Sequence, residues 1–213
     1  VAVFGAPNEF GLDRWQTFRQ TPGTLAGMYS ARGNAEVRIM MGFESPGLRY
    51  DRHDAGAQKR LVADAFAGAG WCVPRLLELM ADAPDFYFDS MCQVRMAEHS
   101  RGRVGLVGDA GYCASPLSGQ GTSLAMVGAY LVAGELAADP DDPARALAAC
   151  TARMRDWVVA NQQLALVAAE RTRERVDGAA TMESLDEHWV ASAANGIVLP
   201  EYPLPVPGEP SRA

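Results

Sequence analysis

The repeat of apolar and polar positions changes period several times along the chain. Residues 1–6 read as an apolar strand, closed by a turn at Pro7-Asn8. Residues 8–24, which hold Gly11, Pro22 and Gly23, predict a loop with a helical turn near Trp15. Leu25–Arg32 and Ala35–Phe43 then predict two strands. In the second, Val37, Ile39 and Met41 alternate with Glu36, Arg38 and Met40, the period of two of a half-buried strand. Gly33-Asn34 between them reads as a two-residue hairpin turn, because both residues tolerate positive φ. The N-terminal third is therefore expected to be an antiparallel sheet.

From residue 57 to 67 the period becomes helical, with Leu61, Ala65 and Phe66 on one face, and Gly68-Ala69-Gly70 ends the run. Pro74 suits the first turn of a second helix carrying Leu76, Leu77, Leu79 and Met80, and Pro84 follows it. Residues 86–98 read as strand again, with Phe86, Phe88, Cys92, Val94 and Met96 apolar, and Val104–Val107 as a short buried strand. A helix is predicted from near Gly121 to about Ala138. Its Ala125, Ala129, Ala133 and Ala137 form a small-residue stripe that lets a neighbouring backbone pack close. Pro143 opens a further helix to about Arg175, with Leu147, Cys150, Met154, Trp157 and Asn161 on one face and Arg171–Arg175 as its solvated end. Prolines at 200, 203, 205, 207 and 210 predict an extended tail.

Composition narrows the function classes. A chain of 213 residues with 48% hydrophobic content can bury a core without staples. Its net charge of −7 is opposite to what a general nucleic-acid binder needs. Cys72, Cys92, Cys113 and Cys150 form no Cys-x-x-Cys pair and are expected to be free thiols in a reducing cytoplasm. His53, His99 and His188 have no metal-ligand spacing, so no metal site is expected. The apolar run Leu124–Gly134 ends at Glu135 and is too short to predict a membrane span. The chain opens on Val1 with no initiator methionine. That fits a piece of a longer chain, a GTG start written as Val, or a truncated gene.

The chemistry concentrates between Arg103 and Leu124. The short strand is expected to deliver Asp109 to its C-terminal end, where ligands sit in open α/β sheets and where a carboxylate can accept hydrogen bonds from a polyhydroxyl chain. Pro116 stiffens the loop, and Gly119 and Gly121 let the backbone approach a flat ligand. The N–H groups of Gln120 to Ser123 are expected to point outward at a helix start, a place for negative charge. Gly119-x-Gly121-x-x-Leu124 fails the dinucleotide fingerprint at its third glycine, no lysine follows the glycines as in a Walker A loop, and Leu117-Ser118-Gly119 is not a nucleophile elbow. No residue is expected to act as a catalytic nucleophile or base.

Gly108-Asp109-Ala110, Pro116 and Gly119-Gln120-Gly121 resemble, in order and spacing, the second FAD-binding motif of the class A flavoprotein monooxygenases, the FAD-dependent aromatic hydroxylases. Gln93–Met96 and Ser100–Arg103 are similar to the branch that includes tetracycline-type oxygenases, and the likeness extends upstream through Trp71–Leu77 and Asp89-Ser90. Tyr112 stands where many members have His, and Gly111 where Ala is common. The family's first motif, Gly-x-Gly-x-x-Gly, and its mid-chain Asp-Gly motif are missing; Asp177-Gly178 lies too far downstream to be the latter.

The resemblance implies an α/β fold with an α+β substrate region. It is an incomplete FAD/NAD(P)-binding fold, p-hydroxybenzoate hydroxylase-like, without its N-terminal dinucleotide-binding unit. Residues 1–98 would form part of the substrate region, 99–140 the C-terminal segment of the FAD-binding domain, and 141–213 a helix and tail. FAD would be held by Asp109 at its ribityl chain and by Pro116, Gly119, Gln120, Gly121 and Thr122 beside its ring. NAD(P)H would reduce it, and O₂ would form the flavin hydroperoxide that hydroxylates a hydrophobic aromatic or polycyclic molecule. Met28, Met40, Met41, Phe43 and Phe88 are candidates to line the substrate pocket or to be plain core. Two alternatives stay open. One is a non-catalytic or partner-binding remnant unable to hold FAD alone. The other is a related flavoenzyme such as a halogenase or reductase, although the sole lysine, Lys59, falls on an expected surface helix.

Overall fold

Period-two alternation builds the first structural unit. In the computed structural model, which describes the backbone of residues 1–176 and 187–202 and the side chains of residues 1–170 and 191–202, strands β1 (Ala2–Pro7), β2 (Gln16–Thr21), β3 (Thr24–Ala31), β4 (Glu36–Phe43) and β5 (Tyr87–Phe88) form one sheet in the order β2-β3-β4-β1-β5. Every pairing is antiparallel. Ala2, Phe4, Ala26, Met28, Val37, Ile39 and Met41 point to one face and are buried there. Helices α1 (Ala55–Ala65) and α2 (Val73–Asp82) bring Val62, Leu76 and Met80 to the same core. Asp54 caps α1 by accepting the Ala57 N–H, and Pro74 stands in the first turn of α2 as expected. The buried side of α1 is Gln58 and Val62, with Phe66 just beyond; Leu61 is only half-buried.

The other sheet face is open. Its central cross-strand row runs Phe18, Gly27, Met40, Val3, Tyr87. The Phe18 ring lies where a Cβ on Gly27 would be, 1.9 Å away, so only glycine admits it.

Several local expectations change. Residues 16–21 form edge strand β2 instead of a loop. Their sequence carries one apolar residue, Phe18, and the strand is held by backbone pairing to β3, which hydrophobic period does not register. The expected strand over 86–98 shrinks to Tyr87–Phe88. At its end Asp89 still exchanges backbone hydrogen bonds with Val1, while its carboxylate takes the Ser90 N–H and the hydroxyls of Tyr50 and Tyr87. The hairpin between β3 and β4 closes with four residues, since Ala31 pairs with Glu36. Arg32, Gly33 and Asn34 all have positive φ. Asn34 Oδ1 accepts the Arg14 N–H, and its backbone oxygen accepts from Asn8 Nδ2, tying the turn to the preceding loop.

The first unit comprises Val1–Met91 together with the described residues 172–176, and the second comprises Cys92–Arg171 with the described residues 187–202. Its helices are α3 (Asp109–Tyr112), α4 (Gly121–Ala138), α5 (Pro143–Val176) and α6 (Glu187–Asn195). Leu147, Cys150, Met154, Trp157 and Asn161 are all buried, the α5 face that helical spacing predicts. Trp157 Nε1 and Asn161 Nδ2 donate to the carbonyls of Ala194 and Ala193, fastening α6 to α5. On α4 the alanine stripe is not the packed side: Ala129, Ala133 and Ala137 are exposed. The buried side runs through Gly128 and Gly134, because the ring systems of Tyr112 and Tyr202 occupy the space their Cβ atoms would take. By length and composition alone α4 is apolar enough to cross a membrane, with a mean hydropathy of 1.3 over 18 residues, a test that core helices also pass. The side chains of Arg171–Arg175, Asp177-Gly178 and the prolines beyond 202 lie outside the described residues.

Candidate functional site

A single loop carries all the site residues expected from sequence. It begins after β7 (Val104–Gly105), which pairs only with β6 (Ser100–Arg101) among the described residues. Val104 is 67% exposed, so the expected buried strand is a surface hairpin; no other described strand flanks it to cover its side chains. Gly108 turns the chain at φ 66°, with its α-carbon face against Ala125 of α4, where a Cβ would stand 3.3 Å from that methyl. Its carbonyl accepts the N–H groups of Gly111 and Tyr112, which starts α3 and leaves the Asp109 side chain exposed at the first position. Pro116 opens a 3₁₀ turn, Pro116–Ser118, and Gly119 ends it in the left-handed region at φ 66°.

Gln120 is the residue before α4. Its N–H is taken by Ser118 Oγ at 3.1 Å, so it is not among the outward-pointing donors expected of it. The first helical bond runs from Leu124 N to Gln120 O, which leaves the N–H groups of Gly121, Thr122 and Ser123 at the open helix start. A Cβ at Gly119 or Gly121 would meet nothing within 4 Å, so the backbone at both positions faces open space. An exposed carboxylate, two glycines bare to a flat ligand and free N–H donors suit the ribityl and ring portions of a flavin. Among the described residues no glycine-rich loop suits its pyrophosphate.

The two departures from the family pattern have structural causes. Tyr112 is buried, its hydroxyl filling the gap at Gly128 and its ring 4.9 Å from that of His99; burial pushes the phenol pKa up. A Cβ on Gly111 would crowd the carbonyl oxygen of Leu106 at 3.1 Å. Ser115, by sequence a loop residue and not a nucleophile, has φ 75° and ψ 145°, a conformation normally reserved for glycine. Its position before a proline, which disfavours helical backbone, was the only available signal.

The pocket candidates separate by face. Met28, Met41, Phe43 and Phe88 belong to the helix-covered core, whereas Met40 stands on the open face. Lys59 donates to the carbonyls of Ala81 (2.8 Å) and Ala83, closing the end of α2, and lies over the Phe86 ring. Its ammonium is a structural clip, which counts against a halogenase lysine.

No protein-family model matches the chain. It is 50% identical over 164 residues to an uncharacterized protein of Mycobacterium tuberculosis, covering 77% of this chain and 44% of that one. It is 36% identical to a flavin-dependent monooxygenase of Legionella longbeachae over 95% of this chain and 53% of the relative. Among solved structures it is similar to the tetracycline destructase Tet(51), with TM-score 0.80 and 33% identity, covering 95% of this chain and 54% of that one. The chain thus spans about half the length of the curated relatives it matches.

Proposed function

From its homology to flavin-dependent monooxygenases and tetracycline destructases over about 95% of its length, we propose that this chain is the C-terminal, p-hydroxybenzoate hydroxylase-like part of an FAD-dependent monooxygenase. The observation that carries the reading is the loop from Gly108 to Thr122. There an exposed Asp109, bare backbone at Gly119 and Gly121, and free N–H groups at the start of α4 succeed one another within one turn-and-helix connection. Asp109 would accept hydrogen bonds from the ribityl hydroxyls. Pro116, Gly119, Gln120, Gly121 and Thr122 would flank the ring, and the helix start would stabilise negative charge on it by about 0.3–2 kcal/mol. FAD, when bound, supplies the oxidation of NAD(P)H and the activation of O₂. The open face of the first unit's sheet, with Phe18, Met40 and Tyr87 around Gly27 and Val3, would meet an apolar aromatic or polycyclic substrate.

The test is flavin binding in the full-length protein that supplies the remaining half of the relatives' length. Asp109→Ala is expected to weaken FAD binding roughly tenfold, the cost of about one charge-assisted hydrogen bond, and Asp109→Asn less. Unchanged affinity in both overturns the assignment of Asp109.

A second reading rests on the missing pyrophosphate loop: residues 1–213 alone are a non-catalytic piece. The purified chain is expected to come through gel filtration colourless. A flavin absorbance near one equivalent would refute this.

A further inference from the structure

We propose that Gln93 and Gln162 are positioning residues that hold the loop from Cys113 to Gln120 in its working shape, a proposal that rests on the flavin reading for what the loop binds. The need for such a device is visible at Ser115. Its φ of 75° and ψ of 145° are strained for a residue with a Cβ, and such strain persists only where the surroundings impose it. Downstream the restraint is Ser118. It donates from both its N–H (3.0 Å) and its hydroxyl (2.9 Å) to the Ser115 carbonyl, while its Oγ accepts the Gln120 N–H.

Upstream, the restraint is the glutamine pair. Gln162 is 7% exposed on α5, between buried Asn161 and Leu164. Its Nε2 donates to the Val94 carbonyl at 2.7 Å and the Cys113 carbonyl at 3.5 Å. Gln93 Nε2 donates to the Ala114 carbonyl at 3.1 Å and to the backbone carbonyl of Gln162 at 2.7 Å. The Val94 N–H closes the set on Cys113 O at 3.0 Å. Both carbonyls that immediately precede Ser115 are therefore anchored to one long helix. A primary amide is suited to the task because its two N–H donors can bridge two acceptors. An apolar side chain of the same length would fill the space and remove the amide's hold on the carbonyls. The strained residue is held from both sides, and the bare glycines that follow it keep their direction as a result.

The experiment is amide hydrogen exchange on the 213-residue chain without flavin. Gln162→Met keeps the side-chain length and removes both donors. It is expected to speed exchange at Ser118 and Gly119 roughly tenfold while the α5 amides at 145–158 keep their rates. Adding Ser115→Gly, which removes the strain, is expected to restore the slow exchange. Gln93→Met, at a less buried position, should act in the same direction and serves where Gln162→Met does not fold. Unchanged rates at Ser118 and Gly119 would overturn the proposal. So would acceleration spread evenly over α4 and α5, or failure of Ser115→Gly to rescue, since each makes the glutamines mere packing. The measurement uses no flavin, so it is separate from the Asp109 titration, whose failure would remove the flavin reading alone. A loosened loop with unchanged FAD affinity in the full-length Gln162→Met protein would overturn the positioning role.

Discussion

At the scale of single residues, the second unit is shaped by what glycine omits. The Tyr112 hydroxyl lies 1.8 Å from where a Gly128 Cβ would be. Gly128→Ala is therefore expected to cost about 1–3 kcal/mol by overpacking, largely recovered in Gly128→Ala/Tyr112→Phe; urea midpoints measure both. His99 shares that neighbourhood: it is buried, and its Nδ1 has no hydrogen-bond partner among the described residues. Burial lowers its pKa below the ordinary 6.5, with Glu98 and a backbone hydrogen bond to Met96 opposing and Arg155 assisting; Tyr112 and Cys150 also line the same small cavity. The unfolded chain therefore takes up a proton before the folded one does. Stability is expected to be level above about pH 7 and to fall as pH drops through 6.5, with His99→Phe flattening that slope in urea midpoints taken from pH 5 to 8. The thiols divide in the same way. Burial pushes Cys150 up to about 11, while Cys92 is exposed. Iodoacetamide at pH 8 is expected to label Cys92 first and Cys150 last, as peptide mapping would show.

At the scale of elements, the long periodic segments were legible in the sequence and the special connections were not. The buried face of α5 and the alternation of β4 follow from a hydrophobic period alone. β2 escaped because an edge strand with one apolar residue is recognised by its partner's backbone, and no period in its own residues reports that. The α4 stripe misled for a related reason. Alanine every fourth residue and glycine at 128 and 134 are both small-residue signals, and only the positions of Tyr112 and Tyr202 decide between them. The candidate site is legible as a motif, since Gly108-Asp109, Pro116 and Gly119-Gln120-Gly121 are local. Its supports at Gln93 and Gln162 were not, because 69 residues separate them and an isolated glutamine carries no pattern. The Lys59 clip belongs to this scale as well. Lys59→Met keeps the stem over Phe86 and loses the bond to Ala81, and is expected to lower stability by about 1 kcal/mol in thermal or urea unfolding.

At the scale of the whole molecule, two separate buried clusters serve the two units, one around Phe4, Ile39 and Leu76 and one around Leu124, Leu131 and Met154. Phe4→Ala is expected to cost about 3–5 kcal/mol and Met154→Ala about 2–5 kcal/mol, each through its own cluster. Their effects should add within about 0.5 kcal/mol in the double variant, because the two side chains belong to different clusters. The five-stranded sheet of the first unit adds a consequence for how such a protein can diversify. Met28, Met41 and Ile39 are tied to the helices beneath, and a change in any of them is felt as lost stability. Met40 alternates with Ile39 and Met41 along β4 yet faces the other way, in one cross-strand row with Phe18 of β2 and Tyr87 of β5. A library randomised at Met40 can therefore explore new ligand shapes while the folding information carried by Ile39 and Met41 on either side of it stays untouched.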